Sequence, residues 1–98
     1  MDKSSVLKTL GDNQSELKAA GIVHLRLQGS VARGQQTSAS DVDLIADFDS
    51  ERRFSLIDMA HLHGRLENLL SVPVDLSPAE MLKGPVRERA EREAVLVF

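Results

Sequence analysis

Residues 22–48 read Ile22-Val23-His24-Leu25-Arg26-Leu27-Gln28, then Gly29-Ser30-Val31-Ala32-Arg33-Gly34, a polar stretch at 35–40, and Asp41-Val42-Asp43-Leu44-Ile45-Ala46-Asp47-Phe48. In the first block Val23, Leu25 and Leu27 alternate with His24, Arg26 and Gln28, the period-two pattern of a half-buried strand. The last block repeats it, with Val42, Leu44, Ala46 and Phe48 on one face and Asp41, Asp43, Ile45 and Asp47 on the other. Gly29-Ser30 ends the first strand, Ser30 to Arg33 open a short helix, and 34–40 is a small, polar loop.

Working outward, 3–20 has a helical face of Val6, Leu7, Leu10 and Leu17. Gly11-Asp12-Asn13 breaks it; Asn13 and Glu16 have capping-box spacing for a second helix, which Gly21 closes. Downstream, Phe54, Ile57, His61, Leu62, Leu66, Leu69 and Leu70 predict a long helix over 54–70, in which Gly64 costs about 1 kcal/mol against Ala. Residues 71–76 read as a short strand that Pro73 assigns to a sheet edge. Ser77-Pro78 start a turn of helix to Leu82, and Pro85 opens a charged helix with Arg87/Glu91, Glu88/Arg92 and Arg89/Glu93 as i,i+4 pairs on a solvated face. Apolar residues 94–98 form a closing strand. Alternation of this kind predicts an α/β (α+β) layer: a small mixed β-sheet flanked by helices.

The chain of 98 residues is read as one domain, 1–98. With 42% hydrophobic residues but three Phe, no Tyr and no Trp, its core is mostly aliphatic, and base stacking on aromatics is not expected. A net charge of −3 lacks the basic footprint of a nucleic-acid binder, so no direct nucleic-acid contact is expected. The absence of cysteine removes disulfides, thiolate metal sites and a Cys nucleophile. No apolar run approaches the roughly 18 residues of a membrane span, and the N-terminus lacks a signal-peptide core, so the expected location is the cytoplasm.

The chemistry concentrates where the strands meet the loop. Gly29 lets backbone approach an anion without a Cβ in the way, and Ser30 adds a hydroxyl and amide at the start of a helix, a natural phosphate cradle. Asp41 and Asp43, two apart on a strand, share a face with Cα atoms roughly 6–7 Å apart. Close carboxylates repel unless a cation lies between them, and an oxygen-only ligand set selects a hard ion such as Mg²⁺ shared with phosphates. Asp75 completes a three-carboxylate cluster if its strand lies beside the second, an arrangement suited to two-metal phosphoryl or nucleotidyl transfer. His61 and His63, two apart in a helix, do not face each other, and His24 reads as surface or packing.

Gly29-Ser30, ten intervening residues, then Asp41-Val42-Asp43 resembles the signature of the DNA polymerase β-like nucleotidyltransferase superfamily. The fuller run of Gly29 to Gly34 followed by Ser40 to Leu44 is similar to the minimal nucleotidyltransferases, the antitoxins of HEPN/MNT toxin–antitoxin pairs. The resemblance covers nearly the whole chain, including Val74-Asp75-Leu76 and the ending from Arg87 to Phe98. It implies the minimal nucleotidyltransferase fold, with ATP as substrate and two Mg²⁺ ions held by Asp41, Asp43 and Asp75. It implies that Gly29 and Ser30 hold the β/γ-phosphates and that Asp75 helps deprotonate the attacking hydroxyl. Arg33 matches the motif arginine, which either touches phosphate or braces the loop. The departures are Gln28 where relatives carry Phe, and Val31 where the antitoxins often carry Arg. The implied activity is transfer of AMP to a tyrosine of a cognate HEPN ribonuclease toxin, with the two proteins forming a hetero-oligomer. Two other readings remain: a module that masks a toxin by contact, and an adenylyltransferase acting on a small molecule.

Overall fold

The two strands that bracket the Gly29-Ser30 turn lie side by side in the computed structural model, which describes residues 2–35 and 41–98. β1 (Ile22–Gln28) and β2 (Val42–Phe48) pair antiparallel, with Leu27 opposite Leu44 and Gln28 opposite Asp43. β3 (Val74–Pro78) joins β2 in parallel, and β4 (Val95–Leu96) joins β1 antiparallel, giving the order β3-β2-β1-β4. A parallel neighbour requires a crossover, and α4 (Leu56–Leu70) supplies it between β2 and β3. The remaining helices are α1 (Lys3–Asp12), α2 (Gln14–Ala19), α3 (Gly29–Ala32) and α5 (Gly84–Glu93), with a 3-10 turn at Ala79–Met81. The expected loop at 34–40 falls largely outside the described residues.

The core occupies one face of the sheet. Val6 and Leu10 of α1, Leu17 of α2, and Leu62, Leu66 and Leu70 of α4 pack with Leu25, Leu27, Val42, Leu44, Ala46 and Val74. On the other face Ile45 is buried, and it shares a small cleft wall with Ala90, the one buried residue of α5. That second layer is thin, so polar residues of β2 and β3 on this face remain accessible beside it.

Several local expectations change in the structure. The alternation groups Val23 with the core residues Leu25 and Leu27, yet it is exposed while Ile22 is buried. The ladder slips between Ile22, opposite Phe48, and His24, opposite Asp47; a bulge of one extra residue reverses the alternation at that point. Ile57 is exposed: α4 begins at Leu56, capped reciprocally by Ser55 and Asp58, and its buried residues Leu62, Leu66 and Leu70 all follow the first turn. Asn13 does not cap α2: its side-chain amide donates to the Thr9 carbonyl at 2.8 Å and so closes α1 instead. Ser77 and Pro78 extend β3, paired with Ile45 and Ala46, and the helical turn follows them. Pro73 does precede an edge strand, as its missing N–H demands. Of the three expected pairs on α5, Arg87–Glu91 forms at 3.1 Å, and the other two do not form among the described residues. β4 is two residues long, with Leu25 and Val97 extending the contact through backbone hydrogen bonds. No helix among the described residues is long and apolar enough to cross a membrane.

Candidate functional site

β1 passes into α3 without a linker. Gln28 is still extended, and Gly29 turns the chain at φ +82°, a left-handed conformation that favours glycine. Glycine is required there for a second reason: a Cβ built on Gly29 would overlap the carboxylate Oδ2 of Asp43. Val31 and Ala32 are buried and fasten α3 to the core, while Ser30 between Gly29 and Val31 faces a cleft. α3 is a single turn, too short for an appreciable helix dipole. An anion there would be met by the backbone and hydroxyl of the Gly29-Ser30 turn themselves.

Asp43 stands directly opposite Asp75 on the neighbouring parallel strand. Residues in register on adjacent strands point to the same side, on strands about 4.8 Å apart. Asp41 stands one residue before β2 and is exposed. Burial holds the Asp43 carboxyl above its ordinary value, the charges of Asp75 and then Asp41 add to the rise, and Arg33 opposes it. Asp43 thus lies in the field of both other carboxylates. Among the described residues, no group of three His, Cys, Asp or Glu side chains is closed into a metal-holding arrangement. The donor chemistry nevertheless suits a hard cation: every donor is a carboxylate oxygen, and Asp43 carries a like-charge burden that a cation would relieve.

A cleft of about 480 Å³ has Gly29, Ser30, Arg33, Asp43 and Asp75 in its wall, while Asp41 is not part of that wall. Arg33 is exposed at the end of α3, donating from Nε to the Gln35 side chain at 3.1 Å and lying 3.5 Å from the Glu93 carboxylate of α5. As placed, it ties the C-terminal end of α3 to α5. Sequence reasoning missed Ser77 and Arg89, which line the same cleft. Ser77 follows Asp75 by two on a strand and therefore shares its face. Arg89 follows Val86 by three on α5, a helical neighbour that also lines the cleft.

The histidines lie elsewhere. His63 Nε2 is 2.6 Å from the Val74 carbonyl, a brace between α4 and β3, and His24 and His61 are exposed. A larger cleft of about 690 Å³ lies at the opposite end of β2, walled by Phe48, Phe54, Leu56, Met59 and Met81. Its Asp47 is engaged by Arg26 at 2.8 Å, and among the described residues no carboxylate pair in strand register faces it.

The nucleotidyltransferase domain family matches residues 6–97. Among curated relatives, the protein adenylyltransferase MntA of Thermococcus cleftensis is 36% identical over 77 residues, 79% of this chain and 76% of the relative. A candidate protein adenylyltransferase of Methanocaldococcus jannaschii is 34% identical over 74 residues, 74% of each chain. A solved structure described as a candidate minimal nucleotidyltransferase superposes with a TM-score of 0.81 at 37% identity, covering 97% of this chain and 95% of that one. A toxin–antitoxin structure with AMP-PNP shares the fold, with a TM-score of 0.70 at 19% identity, covering 100% of this chain and 73% of the other.

Proposed function

From the premise that the chain belongs to the minimal nucleotidyltransferases of the nucleotidyltransferase domain family, we propose that it moves AMP from ATP to a hydroxyl, in particular a tyrosine, of a cognate HEPN ribonuclease toxin. The observation that carries this reading is the register of Asp43 with Asp75 in the cleft that also holds Gly29 and Ser30. The name of the Thermococcus cleftensis relative, protein adenylyltransferase, supports the reaction class. The toxin partner is taken from the toxin–antitoxin complexes that share the fold.

In the transfer, the acceptor oxygen forms a bond to the α-phosphorus, the bond from that phosphorus to the β-bridging oxygen breaks, and pyrophosphate leaves with the electron pair. Gly29 and Ser30 receive the β- and γ-phosphates. Asp41, Asp43 and Asp75 would hold Mg²⁺, which when bound neutralises charge on the polyphosphate and lowers the pKa of the attacking hydroxyl. Asp75 is exposed on the edge strand, which supports a role for it in deprotonating the acceptor hydroxyl. Arg33 holds the end of α3 to α5 through Glu93.

The test replaces Asp41 and Asp43 together with Asn, which keeps shape and removes charge. Co-expressed with the partner toxin, the wild-type chain should add one or more AMP masses to it and protect the cell. The double variant should still associate with the toxin, leave it unmodified and fail to protect. Full protection by the variant with an unmodified toxin would replace transfer by masking.

A further inference from the structure

We infer that Arg89 is a phosphate-binding residue of this cleft, contacting the polyphosphate of the bound nucleoside triphosphate from the α5 side. The inference rests on the nucleotidyltransfer reading of the same site and adds a residue to it.

The local pattern pairs Arg89 with Glu93, one helical turn away, but the structure does not. Glu93 instead lies 3.5 Å from Arg33, which comes from the other wall of the cleft. Its neighbour Arg87 keeps its own i+4 partner, Glu91, and lines a different cleft. Arg89 is left with no hydrogen bond or ion pair among the described residues. It nevertheless lines a wall of the cleft that holds Ser30, Asp43 and Asp75.

A guanidinium and two carboxylates that share a cleft without forming a salt bridge invite a ligand that separates them. A cation-bound polyphosphate does this: it presents positive charge to Asp43 and Asp75 and negative oxygens to Arg89. Arginine suits that role, since its planar fork can take two phosphate oxygens at once and remains charged at any working pH. A small neutral ligand would leave both sets of charges unmatched. The solvated-face reading of α5 holds for Arg87 and Arg92, which do not line this cleft. It does not account for Arg89.

Calorimetric titration of ATP and of AMP, with Mg²⁺ present, into the wild-type chain, Arg89→Ala, Arg89→Lys and Arg87→Ala tests the proposal, with circular dichroism to verify folding. A charge-assisted hydrogen bond predicts that Arg89→Ala weakens ATP binding about ten-fold or more. AMP binding should change by less than about three-fold, Arg89→Lys should recover part of the loss, and Arg87→Ala should bind as wild type. ATP affinity unchanged in Arg89→Ala would overturn the inference, as would equal losses in Arg89→Ala and Arg87→Ala, which indicate only a general field. Equal losses for ATP and AMP would overturn it too, by removing the polyphosphate from the contact. A wild-type chain that binds no ATP would instead overturn the nucleotidyltransfer reading, and this inference with it. Wild-type binding together with an unaffected Arg89→Ala would overturn this inference alone.

Discussion

β1 has a glycine at each end, and the two do different work with the same physical property. Gly21 enters the strand at φ +108° and Gly29 leaves it at φ +82°. At each, a Cβ would collide with a side chain from another element: the Phe54 ring at Gly21 and the Asp43 carboxylate at Gly29. Gly21 is buried, and Phe54 packs in turn on Phe48 with ring centroids 4.8 Å apart, so that end is a packing joint. Gly29 lies in the wall of the cleft, so the other end seats the carboxylate proposed to act in transfer. The neighbour that occupies the missing Cβ position, rather than the glycine itself, tells a structural turn from a functional one.

The largest expected effect breaks the packing end. Gly21→Ala adds a strained backbone to a clash with a half-buried aromatic ring, and should cost about 2–5 kcal/mol of stability. Transfer per folded molecule should be unchanged, as read by chemical denaturation beside activity normalised to folded protein. Gly29→Ala should show the reverse balance. Its backbone cost is about 1–2 kcal/mol, but pushing Asp43 aside should slow AMP transfer by about 100-fold, the scale of a 1 Å misplacement of a reacting group. If both variants lose stability and neither loses turnover, the two ends are equivalent and the distinction fails.

A smaller effect sharpens the packing end. Trimming the ring in a Phe54→Leu, Gly21→Ala double variant should recover about 1 kcal/mol relative to additivity, because the clash partner has been reduced. A strictly additive double mutant cycle would place the cost of Gly21→Ala in the backbone alone.

The smallest effect concerns the charge seated by Gly29. The Asp43 carboxyl is held above its ordinary value of 3.8 by burial and by Asp75 and Asp41. The native chain therefore keeps that proton more firmly than the unfolded chain does. Stability falls as pH rises from the ordinary carboxylate range through the raised native value, and the full penalty is present at pH 7. Without metal, Asp43→Asn should melt slightly above wild type at pH 7, and the gap should close on acidification below the ordinary carboxylate range. A gap that widens on acidification would contradict this origin.

Much of this arrangement is legible in the residues because it is local. Alternation marks β1 and β2, Gly29-Ser30 marks the turn, Asp41 and Asp43 mark a charged strand end, and Pro73 marks the edge. The unread features depend on distant partners. Val23 and Ile22 exchange sides because of how β1 pairs with β2, which no local period encodes. Ile57 is exposed in the first turn of α4, while the buried residues of that helix, Leu62, Leu66 and Leu70, all come later. Arg89 looks like one of three equivalent helix pairs until Arg33, from the other side of the sequence, takes its carboxylate. Asp75 needed its strand to add in parallel and in register before it could meet Asp43, and the crossover α4 supplies that placement.

The central claim is tested most directly by following the α-phosphate. The wild-type chain, the proposed toxin partner, Mg²⁺ and ATP labelled at either the α- or the γ-phosphate should yield toxin that carries the α label and not the γ label. Asp43→Asn should give no labelled toxin while remaining folded. Label arriving from the γ-phosphate, or undiminished α-label transfer by Asp43→Asn, would contradict the account.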